Sequence, residues 1–142
     1  MSPTLEPGDR MMVSAFRYRF GLPQAGDVVA FRTDGLPIEG PSSVYVERIA
    51  AGPGDRVEIT GGKLLVNGRV FVSRAGPEVR FDSAPMRSTY MKMTVPADHY
   101  YMVGDNPTRS TDSRKWGPVA RENLIGRATF RLTARGRVNA IQ

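Results

Sequence analysis

Apolar and β-branched residues in this chain fall into short runs, at 10–13, 27–32, 44–50, 56–60, 63–66, 69–72, 100–103 and 125–133. Where such runs alternate in polarity, successive side chains point to opposite faces of an extended strand. Turn-forming groups separate the runs: Pro7-Gly8-Asp9, Gly21-Leu22-Pro23, Gly26-Asp27, Gly52-Pro53-Gly54-Asp55, Gly61-Gly62, Asn67-Gly68, Gly76-Pro77 and Asp105-Asn106-Pro107. Short strands broken this often predict an all-β fold: a sandwich, a barrel or a coiled antiparallel sheet. The clearest unit is a hairpin over 63–72. Asn67-Gly68 suits a two-residue turn that needs positive φ, and strand-forming residues flank it on both sides. Residues 119–123 read as one helical turn with Glu122 near its end, and no long amphipathic helix is expected. The stretch 74–93 is the least patterned, interrupted by Gly76-Pro77 and Ala84-Pro85. It reads as a loop-rich excursion, so that the single domain 1–142 carries a small inserted subdomain near 58–95.

Composition narrows the classes. The length of 142 residues suits one domain with a real core. The absence of cysteine excludes disulfides, thiolate metal sites and a cysteine nucleophile. No metal and no cofactor is expected. No apolar run approaches the roughly 18–20 residues of a membrane-crossing helix. Pro3, Glu6, Asp9 and Arg10 interrupt the N-terminal stretch as a signal peptide, so the chain as given reads as soluble. The net charge of +6 comes from scattered basic residues, which form no stripe for nucleic acid. The segment from Ser14 to Phe20 interleaves aromatic rings with arginines. That pattern fits contact with an anionic membrane surface, but the favoured reading is a half-buried strand or a loop turning its rings inward.

Four separated segments carry a more specific signal. They are Met1-Ser-Pro-Thr-Leu-Glu-Pro-Gly-Asp-Arg10, Gly26-Asp-Val-Val-Ala-Phe-Arg32, Tyr45-Val-Glu-Arg-Ile-Ala-Ala-Gly-Pro-Gly-Asp-Arg-Val57 and Gly104-Asp-Asn-Pro-Thr-Arg-Ser-Thr-Asp-Ser-Arg-Lys-Trp-Gly117. In this order they resemble the bacterial signal peptidase I family, the serine–lysine leader peptidases, and the resemblance runs through Phe130. The family's first segment reads Ser-Met-x-Pro-Thr-Leu. Its fourth, Gly-Asp-Asn-x-x-x-Ser-x-Asp-Ser-Arg-x-(Tyr/Trp)-Gly, is the most specific. The resemblance implies a large coiled antiparallel sheet system with a small inserted subdomain, and a location on the outer face of the bacterial cytoplasmic membrane.

The chemistry implied by the family is a serine hydroxyl activated by a lysine that burial keeps neutral. By the motif, the nucleophile falls immediately before Met1, and the base falls on Glu47. Ser2 stands two positions after the nucleophile, about 7 Å along an extended segment, whereas base catalysis needs contact near 3 Å. Ser2 therefore reads as an ordinary N-terminal residue. Lys63, Lys92 and Lys115 lie outside the base position, and His99 reads as structural or exposed. The resemblance gives Tyr45 and Ser110 a supporting role beside the base position, and gives Asp112 and Arg114 a bracing role. An Asp–Arg pair also stabilises a tight loop without any catalysis, and Trp116 reads as a packing residue. Met1, Leu5, Met11, Ala30 and Val46 map near the family's peptide groove, although such positions are also ordinary core.

Three functions compete. One is a non-proteolytic homologue holding a peptide, a protein partner or a small-molecule ligand in the former substrate groove. Another is a truncated or altered form of a genuine signal peptidase cleaving after small residues. The third is a repurposed enzyme using Glu47 as general acid or base on a small molecule. A degenerate active site with Glu47 at its centre is the expectation common to the first and third.

Overall fold

The computed structural model describes residues 1–16, 18, 21–38, 40–72 and 92–141. Among them, strands β1 (Arg10–Ser14), β2 (Val28–Arg32), β3 (Val44–Ala51), β8 (His99–Val103), β9 (Val119–Ala120), β10 (Leu124–Leu132) and β11 (Val138–Ala140) form one antiparallel sheet. Its order is β1-β10-β2-β3-β8-β9, with β11 also paired to β10. A second sheet, in the order β6-β5-β4-β7, holds β4 (Arg56–Thr60), β5 (Lys63–Val66), β6 (Arg69–Val70) and β7 (Lys92–Thr94). The architecture is all-β.

β2 is the centre of the main sheet because its Val-Val-Ala-Phe run suits burial on both faces; all four residues are buried. Val29 and Phe31 pack with Ile49, Tyr100, Met102, Trp116 and Val119. Val28, on the other face, packs with Ala128 and Ile141. The two sheets meet at the Gly52–Asp55 corner. There the Asp55 carboxylate accepts from Gly52 N at 2.8 Å and from Asn67 Nδ2 at 2.8 Å. Behind this corner Ala50, Ala51, Tyr101 and Val103 of the main sheet share a core with Val57, Leu64 and Val95. β10 crosses β1 at Gly126, where any Cβ would lie 2.6 Å from the Ser14 carbonyl oxygen, so that crossing demands glycine.

The expected hairpin forms: Val66 pairs with Arg69, while Asn67 (φ 52°) and Gly68 (φ 78°) make the turn. Several expectations need correction. The strand expected over 69–72 ends at Val70. Residues 119–123 are not one helical turn; β9 takes Val119–Ala120 to pair with β8, and only Arg121–Asn123 coil. A short helix α1 (Ser113–Trp116) and strands β7, β9 and β11 were not foreseen. The loop-rich stretch expected at 74–93 falls mostly outside the described residues, and its end, β7, pairs with β4.

Candidate functional site around Glu47

The four motif segments converge. β3 carries Glu47 opposite Val29 and Arg48 opposite Val28. Arg48 is fully buried, and its guanidinium reaches three other segments. Nε and Nη2 donate to Asp105 Oδ1 and Oδ2 at 2.7 and 2.8 Å, and Nη1 donates to Gly26 O at 2.7 Å. Thr4 of the first segment closes the group by donating its hydroxyl to Asp105 Oδ2. A buried, bidentate, charge-assisted pair of this kind fixes geometry in a way a lysine cannot. Sequence reasoning passed over this pair. The available signal was an arginine inside an otherwise apolar strand, which burial obliges to find a carboxylate.

The Gly104–Gly117 loop is braced by a second pair. Arg114 Nε and Nη2 donate to Asp112 Oδ1 and Oδ2 at 2.7 and 2.9 Å, and Nη2 also donates to Pro107 O at 2.7 Å. Asp112 caps α1 through Arg114 N at 3.2 Å and accepts from Gly104 N at 3.1 Å. Ser113 Oγ accepts from Met102 N at 2.8 Å, tying the loop to β8. Asp112 and Arg114 thus hold the loop together as one buried ion pair.

Glu47 and Ser110 meet at Gly104. A Cβ on Gly104 would lie 2.6 Å from Ser110 Cβ and 3.0 Å from Glu47 Oε2, and would collide with Ser110 Oγ. Glu47 is 8% exposed, and both its Oε2 and Ser110 Oγ are buried without a hydrogen-bond partner. Burial pushes the Glu47 carboxyl up to about 8, and the nearby Asp112 and Asp105 carboxylates add to the shift; the amino group of Met1 and Arg114 partly offset it. Burial is the largest of these effects, and with each neighbouring arginine already engaged by an aspartate, Glu47 stays protonated at neutral pH. The group is then a hydrogen-bond donor.

Tyr45 is half-buried, and its ring meets Trp116 edge-on at 5.5 Å and Phe31 at 6.3 Å. Met1, Leu5, Met11 and Val46 pack as one group against Val28, Ala128 and Ile141, and Ala30 pairs directly with Val46 across β2 and β3. Ser2 donates its hydroxyl to Glu6 Oε1 at 2.6 Å. Lys63 and Lys115 are exposed, and Lys92 pairs with Glu58 at the surface at 3.4 Å. His99 sets its Nδ1 2.7 Å from Ala97 O and borders a separate cleft of about 480 Å³ with Trp116, Met93 and Glu122. Tyr18 turns inward and donates to Asp27 Oδ2 at 3.2 Å, while Phe16 is 71% exposed. The remaining aromatic and basic residues of that segment lie outside the described residues. No group of described residues has the makings of a metal site.

The family model for signal peptidase, peptidase S26, matches residues 1–133, and the chain belongs to that family. A signal peptidase I of Leptolyngbya laminosa is 37% identical over 135 residues, covering 93% of this chain and 64% of that protein. Thylakoidal processing peptidase 1 of Arabidopsis thaliana is 38% identical over 137 residues, covering 92% of this chain and 38% of its own length. The chain therefore spans less than two thirds of these relatives. The crystal structure of a signal peptidase I from Enterococcus faecalis V583 superposes with a TM-score of 0.56 at 24% identity, over 77% of this chain and 98% of that one, a likeness of fold. No helix among the described residues is long and apolar enough to cross a membrane.

Proposed function

We propose that this chain is a non-proteolytic member of the family that holds an extended peptide or partner segment against its apolar face. The observation that carries the reading is Glu47. It stands where the family motif has its lysine, and burial holds its carboxyl at about 8. A serine nucleophile needs a partner that takes its proton. A carboxylic acid that is itself protonated at neutral pH offers a proton instead. The apolar group of Met1, Leu5, Met11 and Val46 supports a binding role, since extended segments are held by backbone ladders and apolar pockets together.

A second reading, a signal peptidase cleaving after small residues, is favoured by the intact Ser110–Asp112–Arg114 loop and by the names of the relatives. One experiment separates the two. A peptide with Ala at −1 and −3 is incubated with the chain, with the chain extended by a Ser before Met1, and with that extended chain carrying Glu47→Lys. On the proposed reading only the last cleaves, while the unaltered chain binds the peptide and leaves it intact. Cleavage by the Ser-extended chain with Glu47 in place would show that the acid does not prevent the chemistry and would sink the proposal. Turnover of a small molecule that is lost in Glu47→Gln would instead support acid–base chemistry at that residue.

A further inference from the structure

Residues 134–141 continue past the 1–133 stretch that the family model matches. The chain turns back at Gly136 (φ 76°), with Thr133 N donating to Arg137 O at 2.8 Å and Gly136 N to Thr133 O at 2.9 Å. β11 then runs antiparallel to β10, Val138 opposite Leu132 and Ala140 opposite Phe130. β10 is flanked at 130–132 by β1 on one edge, so β11 takes the other edge, the one β2 occupies further along and leaves beyond Val28.

Every residue of β11 is exposed. The next residue, Ile141, is 6% exposed, and its N–H donates to Thr129 O at 2.9 Å. Its side chain packs with Val28 and Ala128, beside Met1, Leu5, Met11 and Val46. Among the described residues, segment 138–141 is therefore held by a short backbone ladder and a single aliphatic anchor. Those are the two elements by which a sheet edge captures an extended peptide. Among the described residues from 134 to 141, Ile141 carries the one buried side chain, and a segment held by so few buried contacts is among those that open readily.

We propose that the β10 edge from Thr129 to Leu132, together with the apolar group around Val28 and Ala128, is a strand-accepting surface. Its resident occupant is the chain's own segment 138–141, and an extended peptide with an aliphatic side chain at the place of Ile141 enters by exchange. The identity of the incoming segment as the functional ligand rests on the peptide-holding reading; the surface and its resident occupant do not. While the tail is seated, an incoming peptide binds with an affinity reduced by the fraction of molecules that are open.

The test uses the full chain and, as probe, the acetylated and amidated peptide Arg-Val-Asn-Ala-Ile-Gln, the sequence of 137–142. NMR titration follows the amides of Thr129, Phe130, Leu132 and Val28. The peptide should bind the Ile141→Asp chain at least about tenfold more tightly than the unaltered chain, as release of a competing internal segment requires. Equal affinity for both chains, or no shift at those amides in Ile141→Asp, overturns the proposal. If Ile141→Asp does not fold, Ile141→Ala replaces it. Hydrogen exchange of the unaltered chain gives an independent reading: the Ile141 amide should exchange at least about tenfold faster than that of Ile49. Equal protection would mean that the tail opens only on global unfolding, and exchange at this edge would then fail. The peptide with Ala at −1 and −3 is titrated on the same samples. Its failure, with success of the tail peptide, removes the peptide-holding reading and leaves the strand-accepting surface standing.

Discussion

Glu47→Gln keeps the shape of the side chain and removes its ability to ionise. The folded carboxyl sits at about 8 against an ordinary 4.5, because burial disfavours its charge and Asp112 and Asp105 add to that effect. A difference of about 3.5 pH units at about 1.4 kcal/mol per unit makes ionised Glu47 about 5 kcal/mol unfavourable to folding. The direction follows from linkage. The folded value lies above the unfolded one, so the favourable state is fully present below about pH 4.5 and is lost as pH rises through about 8. With the residue only 8% exposed, solvent screening does little to reduce this. Glu47→Gln should therefore match the unaltered chain near pH 4.5. It should exceed it by about 3 kcal/mol at pH 7 and by about 5 kcal/mol above pH 8. At pH 7 that is roughly 6–12 °C in Tm for a chain of this size. Urea unfolding of both proteins from pH 4.5 to 9 reads the difference, and subtraction removes every group they share. NMR titration of the Glu47 carboxyl gives the midpoint directly. A stability difference that is flat across this range, or a midpoint at or below 4.5, would refute the reasoning and with it the physical case against proton acceptance at this position.

Gly104→Ala should destabilise by roughly 1–3 kcal/mol, because its methyl group drives into Ser110 and Glu47. Ser110→Gly in the same chain should recover most of that loss, a coupling that a double-mutant cycle in urea measures. Arg48→Met should cost about 3–5 kcal/mol by leaving Asp105 buried without its cationic partner. Arg48→Lys should recover only part of that by thermal melt, since a single ammonium cannot reproduce the bidentate pair and the bond to Gly26 O. Asp112→Asn should loosen the Gly104–Gly117 loop, read as faster amide exchange at Gly104 and Arg114, whose N–H groups both donate to Asp112.

What the sequence disclosed follows from the range of the forces involved. Period-two runs between turn residues located the longer strands, because each such pattern is local. Asn67-Gly68 fixed a register as well, since a two-residue turn leaves one pairing for its flanks. β7, β9 and β11, of two or three residues each, are too short to show a period; they exist because β4, β8 and β10 offer free edges. The family resemblance marked Asp112 and Arg114 as a pair, and the two are neighbours in one loop. They could not join Arg48 to Asp105, 57 positions away. Four of the apolar positions assigned to the groove by resemblance do form one group. Their other neighbour, Ile141, lies beyond residues 1–133, where the motif does not extend.

Charge explains how a glutamate can stand in this site without dismantling it. Arg48 with Asp105 and Arg114 with Asp112 are closed pairs, each bidentate and buried, and each neutral as a unit. Neither has spare charge with which to hold an additional ion. Burial therefore favours a neutral group at position 47 in the folded chain. A lysine meets that condition by giving up its proton and a glutamate by keeping it. The Gly104 cradle, the loop brace and the β3 register impose the same steric demand on both. The two differ in the direction of proton traffic: neutral lysine offers a lone pair, whereas neutral glutamic acid offers a hydrogen. Beside Ser110, whose hydroxyl is also buried without a partner, the protonated carboxyl at 47 completes a closely packed polar contact around Gly104. On the proposed reading, the pH dependence of Glu47 and the fate of an added peptide are therefore linked outcomes, because a residue that keeps its proton at neutral pH is a poor acceptor for a nucleophile's.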